Sequence, residues 1–484
     1  MSTKSITEAI ADLNLQLTES ELTRLFDTGN IADKWRLYME LRDRAELADN
    51  TTVPLADAKA FWDSREILRQ IKRVAEYTTT SPYAVLASVL VRTVTCITPM
   101  VRTEGGGSLN LIVGVSGDSG TGKGAAETAA AAHFEVQSCG GFTLHPTIIS
   151  KGSPEGFSKA LSRDTDENGE PTGDYKAAMV SVSEIKILAS QLDAPGGDAL
   201  RGALCTLWSG ELHGSTTSDA SRRSRVPAGT FRWCLLTGVQ PENAGAILDD
   251  TVTGLAQRML WLPSTSGEGL CDFSNDERPP KTVIKLPNAV PSMSSDKIVE
   301  VAYYGPAREE MRARRIAIQE RRRKAGLDEH QQFLRAKLGC IFALLDGRTE
   351  TNAEDWVLAG HLVDVSNSEM ENARRAIREK NLQEEKERAE VDAARNEHYY
   401  DQQRLRFERK IWGRIADGGA TRRELRSLVT SAKRPEVDEL LDSWAASFAI
   451  VADEQLARNG QAILVYHATS TGSAYMRDHF KDLL

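Results

Sequence analysis

Three observations predict an α/β fold. An apolar run at 109–116 passes through a glycine-rich turn into an alanine-rich helix-forming run, and two later apolar runs, 177–182 and 231–239, have the length and composition of strands. A helical stretch at 198–208 separates those two. Strands alternating with helices form a parallel sheet, so the core is expected between about residues 105 and 265. The chain's 484 residues leave room for further domains on either side.

Composition excludes several function classes. Apolar residues at 40% and charged residues at 27% fit a globular chain, and neither a disordered nor a membrane-embedded one. Sixty Lys and Arg against 69 Asp and Glu give a net charge of −9, so the whole chain is no polycation, and any DNA contact must come from a local patch. The six cysteines are scattered with no C-x-x-C pair, as in a reducing cytoplasm, and residues 1–12 lack the order of a secretory signal. The most apolar stretch, 83–101, is interrupted by Arg92 and reads as a packed helix rather than a membrane span. A cytoplasmic protein without a membrane partner is expected.

Along the chain, residues 1–80 form a helical N-terminal region, with helices expected at 58–77 and, opening the next segment, at 82–97. The core occupies 81–265. A Pro-, Ser- and Gly-rich connection and a helical lid occupy 266–369, a charged linker helix 370–410, a small domain 411–470 and a tail 471–484. The basic run at 312–324 is interleaved with Glu309, Glu310 and Glu320, which marks a salt-bridged helix face.

The chemistry centres on Gly117, Asp118, Ser119, Gly120, Thr121, Gly122, Lys123 and Gly124, which match G-x-x-x-x-G-K. Glycines allow successive N–H groups and the following helix N-terminus to face one anion, and Lys123 adds a point charge for the outer phosphates. A nucleoside triphosphate, ATP, is the expected ligand. The usual pattern ends in Ser or Thr, so Gly124 removes a hydroxyl ligand for Mg²⁺, although the ion retains waters and phosphate oxygens. Downstream, the apolar run at 177–182 ends in Ser183 and Glu184. Glu184 is the candidate base that polarises the attacking water, with an exposed helix-opening carboxylate as the alternative, and Ser183 is placed to hold a metal-bound water. The third strand ends in Gln240, favoured over Thr237 as the group sensing the outer phosphate. Arg258 stands alone in an apolar run, either reaching the surface or held for an anion as an arginine finger from a neighbouring subunit.

With these elements placed, residues 82–366 resemble a family of phage- and plasmid-borne P-loop ATPases of the primase-helicase type, known chiefly as a domain of unknown function. The resemblance rests on residues 110–124 and on four further short motifs, Gly152-Ser153-Pro154-Glu155-Gly156, Leu207-Trp208-Ser209-Gly210-Glu211, Gly238-Val239-Gln240-Pro241-Glu242 and the run 254–263. It implies a RecA-like or AAA+-like core, ATP and Mg²⁺ as cofactors, DNA as partner, and work in replication of a mobile element. Lys123, Glu184, Gln240 and Arg258 carry over as catalytic motif matches.

Two segments bear on DNA. Residues 210–231 precede the third strand, where ring helicases insert a hairpin into the DNA channel, and Arg222, Arg223 and Arg225 make this segment basic, as phosphate contacts require; a solvated loop is the alternative. Residues 411–469 read as three short helices and two strands around Arg458-Asn459-Gly460, the order of a winged helix. Thr421 and Glu424 make a capping box, 431–443 would be the recognition helix, and Arg422, Arg423, Lys433 and Arg434 supply its basic face. A protein-binding winged helix is the alternative. The expectation is therefore an oligomeric, ring-forming P-loop ATPase acting as a DNA helicase, translocase or helicase loader, with a primase or other replication protein as partner. A nucleotide-gated DNA-binding initiator with little hydrolysis is the rival, and a small-molecule phosphotransferase is a distant third.

Overall fold

The structure, a computed structural model, describes residues 55–149, 153–168, 170–183, 190–192, 197–215, 224–250, 253–274, 276–324 and 326–481. It is mixed α/β and divides into two compact units between Lys380 and Asn381.

The first unit opens with α1 (Leu55–Asp63), α2 (Glu66–Thr78) and α3 (Pro82–Thr95). One helix was expected across 58–77; the structure breaks it at Ser64 and Arg65, where Arg65 takes an extended conformation at φ −134 and ψ 150. The break directs a buried guanidinium onto three carboxylates, Glu354 at 2.7 Å, Asp355 at 2.8 Å and Asp346 at 2.9 Å. A cation so deeply buried requires such partners, and these lie too far along the chain for helical periodicity to reveal them. In α3 every residue except Arg92 is buried, which accounts for its apolar character on all sides. No helix among the described residues is long and apolar enough to cross a membrane.

The central sheet comprises β1 (Leu111–Ser116), β2 (Ile148–Ile149), β3 (Lys176–Val182), β4 (Phe231–Val239) and β5 (Met259–Pro263). Between them lie α4 (Lys123–His133), which follows β1, and α5 (Gly197–Ser209), which precedes β4. All five strands are parallel, in the order β5-β1-β4-β3-β2. β4 therefore sits between β1 and β3, and the chain crosses β1 to lay down β5 on its other side. A reversal of this kind opens a crevice at the carboxyl ends of the strands, where open α/β sheets bind ligands. Neither β2 nor β5 was expected as a strand, since two residues, or five that continue directly from a helical turn, show no period of their own.

Both β1 and β4 are buried along their whole length. Alternate residues of β4 show why. Arg232 donates to the carbonyls of Ile97 and Thr98 just beyond α3, whereas the ring of Trp233 meets Phe157 on the opposite face at 5.7 Å. Both faces are thus covered, which accounts for the nearly continuous apolar runs.

The strands' amino ends are tied by a buried polar hub. Asn110 accepts from Arg232 Nη1 and from the Trp233 amide, both at 3.2 Å, and donates to the Leu207 carbonyl at 2.6 Å. Lys337, on α6 (Asp328–Leu345), donates to the carbonyls of Asn110 at 2.8 Å and Trp208 at 2.7 Å, and its Nζ lies 3.5 Å from the Trp208 ring centre. Burial pushes Lys337 well below the ordinary lysine value and Arg232 down to about 10, and the proximity of the two cations lowers Lys337 further.

The connection at 266–295 contributes the strand Thr282–Lys285, parallel to Phe134–Gln137, and Val299–Val301 pairs in parallel with Val101–Thr103. The basic run is ion-paired, but largely to the next helix rather than along its own face: Arg314 is bound to Asp328 at 2.6 Å and Glu329 at 2.8 Å on α6, and of the interleaved glutamates Glu320 pairs with Arg322. A long helix, α7 (Ala353–Ala416), runs from the first unit into the second.

The second unit continues from the end of α7 through β6 (Ala420–Thr421), α8 (Arg422–Ser427), α9 (Arg434–Ala446), β7 (Ile450–Leu456), β8 (Ala462–Ala468) and α10 (Ser470–His479). The antiparallel sheet is ordered β6-β8-β7. Ile411, Trp412 and Ile415 of α7 pack with Leu425, Val437, Leu441 and Trp444, the two Trp rings edge to face at 5.3 Å. The capping box forms, with the Thr421 hydroxyl accepting from the Glu424 amide and the Glu424 carboxylate accepting from the Thr421 amide. The helix expected at 431–443 begins only at Arg434, after a 3₁₀ turn at Ser431–Lys433, because Pro435 suits the first turn of a helix and not its interior. Gly460, at φ 79, turns β7 into β8.

Candidate functional site

The segment Gly117–Gly124 leaves the carboxyl end of β1 at the reversal in strand order and enters α4 at Lys123. Gly117 N–H donates to the Val239 carbonyl at 2.9 Å, tying the loop to the end of β4. Gly120 (φ 85) and Gly122 (φ 82) occupy the left-handed region that glycine adopts without steric cost, and Gly122 caps α4. Thr121 Oγ1 donates to the Asp118 carbonyl at 2.8 Å and lies 2.7 Å from Ser264 Oγ, just past the end of β5. Lys123 Nζ donates to the carbonyls of Gly117 and Asp118, both at 2.6 Å, so its ammonium lies inside the curl of the loop. An anion in that curl meets a helix N-terminus, backbone N–H groups and a cation together.

Three strand ends converge on this lysine. A Cβ at Gly238 would stand 2.4 Å from the Ser183 carbonyl and 3.3 Å from Lys123 Cδ and Cε, so the carboxyl ends of β3 and β4 close against the lysine stem. Gln240 follows β4 at the same edge, its Oε1 accepting from Asn243 Nδ2 at 2.6 Å. Ser183 is exposed there, and Glu184 lies outside the described residues. Ideal Cβ positions at Gly120 and Gly124 meet nothing within 4 Å, so the space beside these two positions is open.

Two carboxylates near this edge escaped the sequence reading. Glu127, one turn along α4 from Lys123, accepts the Ser181 hydroxyl of β3 at 3.0 and 3.1 Å. Its signal was its isolation, as the single acidic residue between Asp118 and Glu135. Glu369, on α7, lies near Ser116 at the end of β1; burial pushes its carboxyl up, and the Asn372 amide, donating to it at 3.2 Å, acts in the opposite sense. No sequence spacing connects Glu369 to the loop.

Arg258 occupies the opposite end of the sheet. It directly precedes β5, whose Pro263 pairs with Ser116 at the loop edge. Five residues at about 3.3 Å each place it roughly 16 Å from its own loop. Its guanidinium donates to the carbonyls of Thr253 and Gly254 and lies over the Trp208 ring at 5.5 Å. Arg258 and the loop Gly117–Gly124 therefore do not share a site within this chain. Arg335 is likewise engaged, donating to the Trp356 carbonyl and stacked 4.1 Å from that ring centre.

Of the basic candidates, Arg225 lies exposed on the strand Ser224–Val226, which pairs antiparallel with His213–Ser215. Arg222 and Arg223 lie outside the described residues. In the second unit Arg423, Lys433 and Arg434 are exposed. Arg422 differs: it donates to Asp442 at 2.8 Å and to the Tyr466 hydroxyl at 3.0 Å and pairs with Asp438, so its charge is spent holding α8 against α9 and β8.

No protein-family model and no curated protein matches this chain. Among the described residues no group of three or more His, Cys, Asp or Glu could hold a metal ion by itself. Any divalent ion at this edge would rely on a bound phosphate for part of its coordination.

Proposed function

We propose that this chain is a P-loop ATPase coupled to DNA, a helicase, translocase or helicase loader of the primase-helicase type that works as an oligomeric ring in phage or plasmid replication. The observation that carries the reading is the position of Lys123 Nζ inside a glycine loop at the carboxyl edge of a parallel sheet, where the strand order reverses. Gly117 to Gly124 would cradle the phosphates of ATP, with Lys123 exchanging its two loop carbonyls for phosphate oxygens. The donor set fits a Mg²⁺ held chiefly by phosphate and water, since Ser183 offers an oxygen and Gly124 none. When bound, that ion would neutralise charge developing on the transferred phosphoryl group. Glu184 would orient the attacking water and Gln240 would sense the outer phosphate.

Arg258 lies far from its own loop and is held by the Thr253 and Gly254 carbonyls and the Trp208 ring, so it would serve a neighbour's nucleotide only on release from those contacts, and the oligomer rests on the motif match alone. Arg225, with Arg222 and Arg223, would contact the DNA backbone. The helix–strand–helix–helix–hairpin order of the second unit supports a winged helix that presents Arg423, Lys433 and Arg434 to DNA. A primase would be supplied by a partner, and the expected compartment is the cytoplasm of a bacterium or an infected host cell.

A second reading, a nucleotide-gated DNA-binding initiator with little turnover, is favoured by Gly124 and Ser183, which replace two groups that usually serve the metal. One experiment separates the two: Mg²⁺-dependent ATP hydrolysis with and without single-stranded DNA, beside Lys123→Ala and Glu184→Gln, followed by a duplex-unwinding assay. DNA-stimulated turnover lost in both variants, with strand separation, supports the motor. ATP binding without turnover supports the initiator, and robust hydrolysis with no movement on DNA rules the motor out.

A further inference from the structure

Two positions that usually serve the metal of a phosphate-binding loop carry weak groups here, a glycine at 124 and a serine at 183. The structure offers a replacement nearby. Lys123 and Glu127 lie four residues apart on α4 and so share one face of it. That face meets β3, where Ser181 donates to both carboxylate oxygens of Glu127 at 3.0 and 3.1 Å. Ser181 and Ser183 alternate onto the same side of β3, and the Ser183 carbonyl closes against the Lys123 stem across Gly238. Lys123, Glu127, Ser181 and Ser183 therefore come together where the start of α4 meets the end of β3, with Glu127 the carboxylate among these four.

Resting on the ATP-binding reading above, we infer that Glu127 is the carboxylate that holds the nucleotide's Mg²⁺, through the waters the ion retains, in place of the hydroxyl missing at 124 and the acid missing at 183. A hard divalent cation selects a carboxylate oxygen over a hydroxyl, and an octahedral ion that keeps its waters need not be touched directly. Each carboxylate oxygen has capacity beyond the single Ser181 hydroxyl, so the hydrogen bond orients Glu127 without saturating it. The space about Gly124 is open, so a serine side chain there meets no neighbour.

The test is equilibrium titration of the full-length protein with a fluorescent ATP analogue, in Mg²⁺ and in EDTA, with Mn²⁺ uptake read by electron paramagnetic resonance. In the wild type Mg²⁺ should tighten nucleotide binding. In Glu127→Gln that enhancement should fall about tenfold or more, the range seen for lost outer-sphere ligands, while metal-free affinity stays unchanged. Ser181→Ala, which removes the hydrogen bond and keeps the carboxylate, should retain most of the enhancement, and Gly124→Ser combined with Glu127→Gln should regain it. If Glu127→Gln does not fold, Glu127→Asp with and without Gly124→Ser makes the same comparison. A folded Glu127 variant with full Mg²⁺ enhancement overturns the inference and leaves ATP binding standing. A wild type that binds no nucleotide under either condition overturns both.

Discussion

A Cβ on Gly117 would stand 1.8 Å from the hydroxyl oxygen of Ser264. This contact joins the loop after β1 to the residue after β5, and Ser264 is anchored in turn by its amide, which donates to the Ser116 carbonyl at 2.6 Å. Gly117→Ala is therefore expected to push the loop out of register and, on the proposed ATPase reading, to cost of order a hundredfold in ATP turnover, the penalty of an ångström-scale displacement at a reacting centre. Gly120→Ala meets open space and pays only for a left-handed alanine, about 1–2 kcal/mol of local strain. ATPase assays on both variants, with circular dichroism as a folding control, check the contrast.

The hub at Asn110 sets a second expectation. Asn110→Leu removes the acceptor for Arg232 Nη1 and for the Trp233 amide and the donor to the Leu207 carbonyl, all in a fully buried site, while Arg232 keeps the carbonyls of Ile97, Thr98 and Val101. A loss of about 3 kcal/mol or more in unfolding free energy is expected. Urea denaturation measures it.

His361 carries a pH signature. It stacks on Phe61 at 4.4 Å and lies 3.0 Å from the Tyr83 hydroxyl, and burial pushes its pKa from 6.5 down to about 4, with Asp57 acting in the opposite sense. The unfolded chain therefore binds this proton at a higher pH than the folded one. Stability from this group is full above pH 6.5 and falls as the pH drops towards about 4. His361→Phe should flatten the dependence over that window and leave it unchanged above pH 7, as read by denaturation midpoints from pH 4 to 8.

The exposed and paired arginines of the second unit should separate in experiment. If the second unit binds DNA as proposed, Arg423→Ala, Lys433→Ala and Arg434→Ala should each weaken that binding and lower the salt slope by about one where the residue touches phosphate. Arg422→Ala should instead destabilise the second unit by about 1 kcal/mol through its lost contacts to Asp442 and Tyr466. Fluorescence anisotropy across a salt series, paired with thermal melts, distinguishes the two effects.

Much of the first unit's core was legible in the sequence. Apolar runs marked β1, β3 and β4, the alternating pattern marked α5 to within a residue at each end, and the glycine loop with Lys123 marked the candidate site. The Thr421–Glu424 box and the Asn459-Gly460 turn likewise identified their elements. These are local features, set by helical and strand periods, by positive-φ glycines and by side chains that bond their own backbone, and each is written within a few residues of chain.

Tertiary structure alone decided which elements meet. It broke the expected helix at Arg65 to reach carboxylates about 280 to 290 residues away, made strands of 148–149 and 259–263 by supplying β3 and β1 as partners, and tied Arg422 to Asp442 while leaving Arg423 exposed. It also set Glu127 against Ser181 and placed Arg258 at the far end of the sheet from the loop. Sequence periodicity records which face of an element is apolar. Buried charges and edge strands are stable only once a distant segment supplies the hydrogen bonds they lack, and that partner appears in no local pattern.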